Sequence, residues 1–177
     1  MLVLSDLHLI GRCSIDSFTF YRFWCADILM QSLRVYFEQL RGTIYLPMIY
    51  RFLGAKIGYL SEVASTEKVC PDGLTIGDHS FIADDVALGG SHIEAGYLTT
   101  APVVIGNRSF VGNGSMVPGG TELGDGCLVG LASLAPIYGE PNKTYLGSPP
   151  LEVGAREGLS GNNSLTYTPP RAWIIGR

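Results

Sequence analysis

An aliphatic residue returns every sixth position through the middle of this sequence, and few folds can use that period. Such anchors stand at 57, 63 and 69, slip by one to 76, continue at 82 and 88, resume at 105, 111, 117, 123 and 129, and end weakly at Ala135. A helix needs apolar positions every 3.6 residues and a strand every two. A six-residue period instead fits a chain that runs a short strand, turns a corner and repeats. Glycine follows the anchor at 58, 77, 89, 106, 112, 124 and 130, and a small or cyclic residue does so at 64, 83 and 118. The fourth position after an anchor holds Ser61, Ser80, Val86, Ser109, Ser115, Thr121, Cys127 or Ser133. Three hexads make one triangular turn, with each anchor pointing inward and the adjacent glycine letting the backbone pack tightly at the corner. Asp78, Asp84, Asn107, Asn113 and Asp125 suit those corners, because such residues tolerate left-handed dihedrals and bond their own backbone. Each buried aliphatic side chain contributes roughly 1.5–3 kcal/mol, enough for a stack of them to hold a coil together. The reading is an all-β solenoid of hexapeptide repeats, a recognised signature of parallel β-helices.

At 177 residues, with 46% hydrophobic and 16% charged residues, the chain is long enough for one domain and accessory segments. A net charge of −4 argues against a nucleic-acid partner, which requires a basic face. Cys13, Cys25, Cys70 and Cys127 lack paired spacing and a histidine cluster, so neither a metal site nor a disulfide framework is indicated. Cys127 occupies a small buried position of the repeat. No basic-then-apolar leader opens the chain, so the expected location is the cytoplasm.

Residues 1–15 carry no clear pattern. Ser17 is a plausible N-cap, and Tyr21, Trp24, Cys25, Ile28, Leu29, Leu33, Tyr36, Phe37 and Leu40 form the apolar stripe of a helix closed by Gly42. A second short helix is expected from Pro47 to Gly54. Arg22, Asp27, Arg34 and Glu38 interrupt the first run, and a membrane-spanning helix needs ~20 mostly apolar residues. Two readings of the stripe stand: packing against the rest of the protein, which is favoured, or peripheral contact of residues 17–54 with a membrane. The chain therefore divides into an N-terminal helical segment (1–55), the repeat (56–150) and a C-terminal extension read as irregular (151–177).

These residues resemble the hexapeptide-repeat acyltransferase superfamily, whose fold is a left-handed parallel β-helix. The left hand is implied by the resemblance, since crossover physics alone favours the right. A closer resemblance covers residues 18–173. The segments LRGTIYLP, RFLGAKIG, LTIGDHSFIAD, APVVIGNRSFVGN, GSPP and LTYTPPR are similar to the carboxy-terminal units of nonribosomal peptide synthetase-like proteins akin to ε-poly-lysine synthetase. There, adenylation and carrier domains precede tandem acyltransferase-like units. This sequence contains neither domain and ends at WIIGR, as one unit of such an architecture would. The resemblance implies transfer of an acyl or aminoacyl group from acetyl-CoA, another acyl-CoA or a phosphopantetheine-bound thioester to an amine or hydroxyl. The setting would be nonribosomal peptide or other secondary metabolism, with no metal. It also implies a homotrimer or pseudo-trimer of related units, with a carrier protein as partner. The alternative is a non-catalytic scaffold that assembles with sister units or a synthetase.

Between Leu88 and Ile105 the hexad fails, since continuing in register would bury Glu94 and Thr100. GGSHIEAGYLTTAPVV must leave the coil, and loops leaving a rigid scaffold commonly carry function. Superfamily enzymes often hold a general-base histidine in such a loop. His92 is the only histidine here, with Glu94 to orient or charge it. The histidine of related tandem units aligns one residue earlier, with Ser91, and a one-residue shift can reverse the facing of a side chain. Donor binding, by resemblance, falls along Gly112, Asn113, Gly130 and Ser133. Lys143 and Arg156 are cations that donor phosphates could meet, though solvation is the favoured reading for both. His79 reads as exposed scaffold at a corner.

Overall fold

The computed structural model describes residues 10–65 and 67–156. After a short strand, β1 (Gly11–Ser14), come helices α1 (Phe18–Glu38) and α2 (Tyr45–Phe52), followed by short strands that fall into three parallel sheets. The first sheet joins β2 (Lys56–Ile57), β4 (Leu74–Ile76), β9 (Val103–Ile105), β12 (Glu122–Leu123) and β14 (Tyr138–Gly139). The second joins β3 (Glu62–Val63), β5 (Phe81–Ile82), β10 (Phe110–Val111), β13 (Leu128–Val129) and β15 (Lys143–Leu146). The third pairs β6 (Ala87–Leu88) with β11 (Met116–Val117), and single bridges extend it to Val69 and Leu134. The chain visits the three sheets in rotation, so every third strand lands beside its predecessor.

That rotation stacks the anchors in columns. Ile57, Ile76, Ile105 and Leu123 lie in register in the first sheet, and Val63, Ile82, Val111, Val129 and Tyr145 in the second. All twelve sequence-predicted anchors, from Ile57 to Ala135, are buried in one cluster. The fourth-position residues are buried too, and serine hydroxyls among them stitch one circuit to the next, whereas Thr121 Oγ1 has no hydrogen bond among the described residues. Ser61 Oγ donates to the Gly77 carbonyl at 2.5 Å, Ser80 Oγ to Gly106 at 2.7 Å and Ser109 Oγ to Gly124 at 3.1 Å. A buried hydroxyl without such a partner would cost roughly 1–3 kcal/mol.

The corner Asx residues act differently from the expectation. Positive φ falls on the residue after each of them: His79, Asp85, Arg108, Gly114 and Gly126. The Asx side chains reach the neighbouring circuit instead. Asp78 accepts from the Tyr59 amide at 2.6 Å, Asn107 from Asp78 at 2.8 Å and Asp125 from Asn107 at 2.7 Å. The hydrogen bonds from Asn107 hold the Asp125 carboxyl below the usual range. Gly106 is required by the same stacking, since a Cβ there would lie 2.6 Å from the backbone nitrogen of Asp125.

Both helices form, with shifted limits. Ser17 caps α1, its Oγ accepting from the Phe20 amide at 3.1 Å. The helix ends at Glu38, and Gly42 turns the chain at φ +66 four residues later. α2 begins two residues before Pro47 and buries Leu46, Pro47 and Tyr50. The predicted stripe of α1 turns only in part toward the core. Phe23 is the buried residue, with Met30, Phe37 and Leu40 packed against the core, while Tyr21, Trp24, Cys25, Ile28, Leu29 and Tyr36 are exposed. The charges lie on the inner side: Arg34 pairs with Glu38 at 3.3 Å and with Glu67, and Arg41 lies 3.4 Å from Asp85. A second apolar row, Phe23, Met30, Phe37 and Leu40, makes the contact with the core, so the favoured reading, in which the whole stripe packs inward, is corrected. No described helix is long and apolar enough to cross a membrane. The C-terminal extension is regular at its start, where β16 (Leu151–Ala155) pairs antiparallel with β15. LTYTPPR lies outside the described residues.

Candidate active site

Where the hexad fails, the chain forms a β-hairpin. Strands β7 (His92–Glu94) and β8 (Tyr97–Thr100) pair antiparallel, with Glu94 opposite Tyr97. The two-residue turn Ala95-Gly96 has φ of +47 and +79, the positive values that a type I′ hairpin demands. Strand β1 adds to the other edge of β8, Arg12 opposite Thr99 and Ser14 opposite Tyr97. Opposed residues share a face and alternate residues return to it. His92, Glu94, Tyr97, Thr99, Arg12 and Ser14 therefore lie on one face, and Leu98 on the other is buried. The Arg12 guanidinium sits 4.2 Å from the centre of the Tyr97 ring, a cation–π contact tying the N-terminal strand to the hairpin.

The structure brings His92 and Glu94 together. Nε2 lies 3.8 Å from Oε2, with side chains 75% and 82% exposed. That is ion-pair range but longer than a hydrogen bond, and solvent leaves such a pair worth little to stability. Ser91 points elsewhere. It lines a cavity of about 290 Å³ between α1 and the first circuits, beside Cys70.

The residues predicted for donor binding gather at a different corner. Gly112 and Gly130 are stacked so closely that a Cβ on Gly112 would lie 2.8 Å from the Gly130 backbone. Much of their polar capacity is used by the coil. Gly112 donates to Val129 at 2.9 Å, Gly130 accepts from Ser115 Oγ at 2.6 Å, and Ser133 Oγ donates to Leu131 and accepts from Gly147. Asn113 is exposed, and its carbonyl accepts from Ala132 at 2.8 Å. This corner opens the third sheet and the hairpin leaves at its close, so the two groups flank that sheet from opposite edges. Lys143 is tied to Glu152 at 2.5 Å, and Arg156 donates to the Arg108 carbonyl at 2.6 Å. Both cations hold the C-terminal arm. His79 is half-buried at its corner, its ring edge-on to Tyr59. Sequence reasoning missed Arg12, Ser14 and Thr99, the face that surrounds His92. Ala95-Gly96 between alternating segments is the signal that announces the hairpin, whereas β1 has no local signal.

The fold matches solved acetyltransferases. A maltose O-acetyltransferase from Clostridium difficile aligns over 89% of this chain and 99% of its own, with TM-score 0.60 and 17% identity. A hexapeptide-repeat acetyltransferase from Vibrio cholerae, complexed with acetyl coenzyme A, aligns over 77% of this chain and 90% of its own, with TM-score 0.56 and 14% identity. A galactoside acetyltransferase in complex with coenzyme A aligns over 89% and 92%, with TM-score 0.55 and 14% identity. The chain is thus a hexapeptide-repeat protein with the acetyltransferase fold. In sequence it is related to a delta-poly-L-ornithine synthetase from Acinetobacter baumannii, 39% identical over 163 residues, as the resemblance to poly-amino-acid synthetases implies. The match spans 90% of this chain but 12% of the synthetase. No protein-family model matches.

Proposed function

We propose that this chain is an acyltransferase-type unit, a left-handed parallel β-helix solenoid whose hairpin carries the general base. His92 takes a proton from an acceptor amine or hydroxyl as that atom attacks a thioester carbonyl of an acyl-CoA or a phosphopantetheine arm. The new amide or ester bond forms, the carbon–sulfur bond breaks, and the departing thiolate recovers a proton. Glu94 stabilises the imidazolium between those events. The observation that carries this reading is the His92–Glu94 pair, 3.8 Å apart at the break in the repeat.

Because Gly112, Asn113, Gly130 and Ser133 lie across the third sheet from His92, a complete site takes its donor corner from a second copy or a sister unit. That arrangement is a homotrimer or pseudo-trimer. The synthetase relative points to a basic amino acid such as ornithine as acceptor, with a carrier protein as donor partner, in nonribosomal or related metabolism. The outer face of α1, apolar apart from the exposed Arg22, then rests on a membrane surface in the cytoplasm, since exposed apolar patches rarely stay unpartnered. In a Trp173→Phe variant, whose remaining tryptophan is Trp24, fluorescence should shift to the blue when phosphatidylcholine vesicles are added; an unchanged spectrum removes the membrane contact.

The direct test follows thiol release from acetyl-CoA and from loaded carrier protein with amine acceptors, alongside mass in solution. Release by an oligomer is expected. A monomer silent with every donor favours the second reading, a non-catalytic scaffold. One observation supports that alternative: Ser91, rather than His92, faces the cavity beside Cys70.

A further inference from the structure

The cavity under α1 is unused by the proposed transfer site. It holds about 290 Å³ between the inner face of α1 and the first circuits, near the lower end of small-molecule sites and too small for a coenzyme. Phe23, Tyr50 and Val69 form a buried apolar floor, and Phe37 meets Tyr50 edge to face at 6.1 Å. The Tyr50 hydroxyl is spent on the Ser65 carbonyl at 3.1 Å, so the floor offers aromatic surface rather than hydrogen bonds.

The charges around the rim are unevenly committed. Arg34 is held by Glu38 and Glu67, which removes that guanidinium and the Glu67 carboxylate from ligand binding. Lys68 is exposed to solvent. Asp27 is half-buried, accepts only from the Gln31 side-chain amide at 2.8 Å, and makes no ion pair among the described residues. An uncommitted carboxylate beside aromatic rings complements a cation on a short alkyl stem: the carboxylate meets the charge, and the rings meet the stem and the ammonium. The Cys70 thiol lies in the same wall, pushed up by burial and then by the Asp27 charge. Gly89, Gly90 and Ser91 line the cavity as well, and Ser91 directly precedes the strand that bears His92.

We propose that this cavity binds the terminal ammonium of a short primary alkylamine, with Asp27 as its counter-ion and the Phe23, Phe37 and Tyr50 rings around its stem. The inference deepens the transferase reading, and rests on it for the identity of the amine as a basic amino acid. Calorimetric titration of the full chain with L-ornithine and with L-norvaline, which has the same carbon skeleton without the terminal amine, tests it with no acyl donor present. Ornithine should bind about ten- to a hundredfold more tightly, the worth of one charged contact. Asp27→Asn should bring the two affinities within about twofold. Equal affinity in the wild-type chain, or selectivity kept by Asp27→Asn, overturns the assignment. Should Asp27→Asn fail to fold, the wild-type chain decides through a second pair of probes, n-butylamine and n-butanol: the amine must bind more tightly by a similar factor, and equal affinities overturn the site. Absence of thiol release would remove the transferase reading while leaving this binding result standing.

Discussion

An aspartate in place of Ile105 is expected to leave the chain unfolded at room temperature. Ile105 is 1% exposed and lies in register between Ile76 and Leu123. Truncating such a residue costs about 2–5 kcal/mol, and burying an unpaired carboxylate adds several more. Together these rival the 5–15 kcal/mol that holds a typical domain. The contrast lies one residue away. Val104 is 36% exposed and its side chain points outward from the same strand, so Val104→Asp should move the thermal midpoint by only a few degrees. Circular dichroism melts of the two variants read the pleat directly. Similar midpoints for both would mean that the anchors do not face a common core.

His92→Ala should lower the rate of thiol release by about a hundredfold to ten-thousandfold, the usual contribution of a positioned base. Its thermal midpoint should stay at the wild-type value, because the side chain is 75% exposed and packs against nothing that holds the coil. Glu94→Gln should cost less, since it removes the charge beside the ring without removing the ring. Rates for His92→Ala equal to those of the unmodified chain would remove it as the base.

The stacked parallel strands were legible because their constraint is local and repeated: an anchor every sixth residue, a glycine or other small or cyclic residue beside it, and a small residue at the fourth position. Each hexad carries the whole rule, so chance misreadings do not accumulate. Helix α1 was misread for the opposite reason. Its apolar residues encircle the helix, so a second row, Phe23, Met30, Phe37 and Leu40, meets the core beside arginines that pair with Glu67 and Asp85, and a periodicity argument contains no partners. Strand β1 was invisible because Gly-Arg-Cys-Ser has no strand pattern and pairs with residues more than eighty positions away. The hairpin could be inferred only as a departure from the repeat; its strands needed the Ala95-Gly96 turn to be noticed. The corner Asx residues were placed correctly and given the wrong partners, since their hydrogen bonds run between circuits and the sequence shows only one circuit at a time.

Excising the hairpin separates the scaffold from the chemistry. A Cβ built on Gly119 would lie 3.0 Å from the Gly90 carbonyl and 3.2 Å from that of Ala101, so both roots of the hairpin meet at one point and a short glycine–serine bridge can join them. A chain with residues 91–100 replaced in this way should keep the cooperative melt of the coil and release no thiol above background with any donor that the wild-type chain accepts. Undiminished release from the excised chain would show that the acyl chemistry resides somewhere other than the face that carries His92.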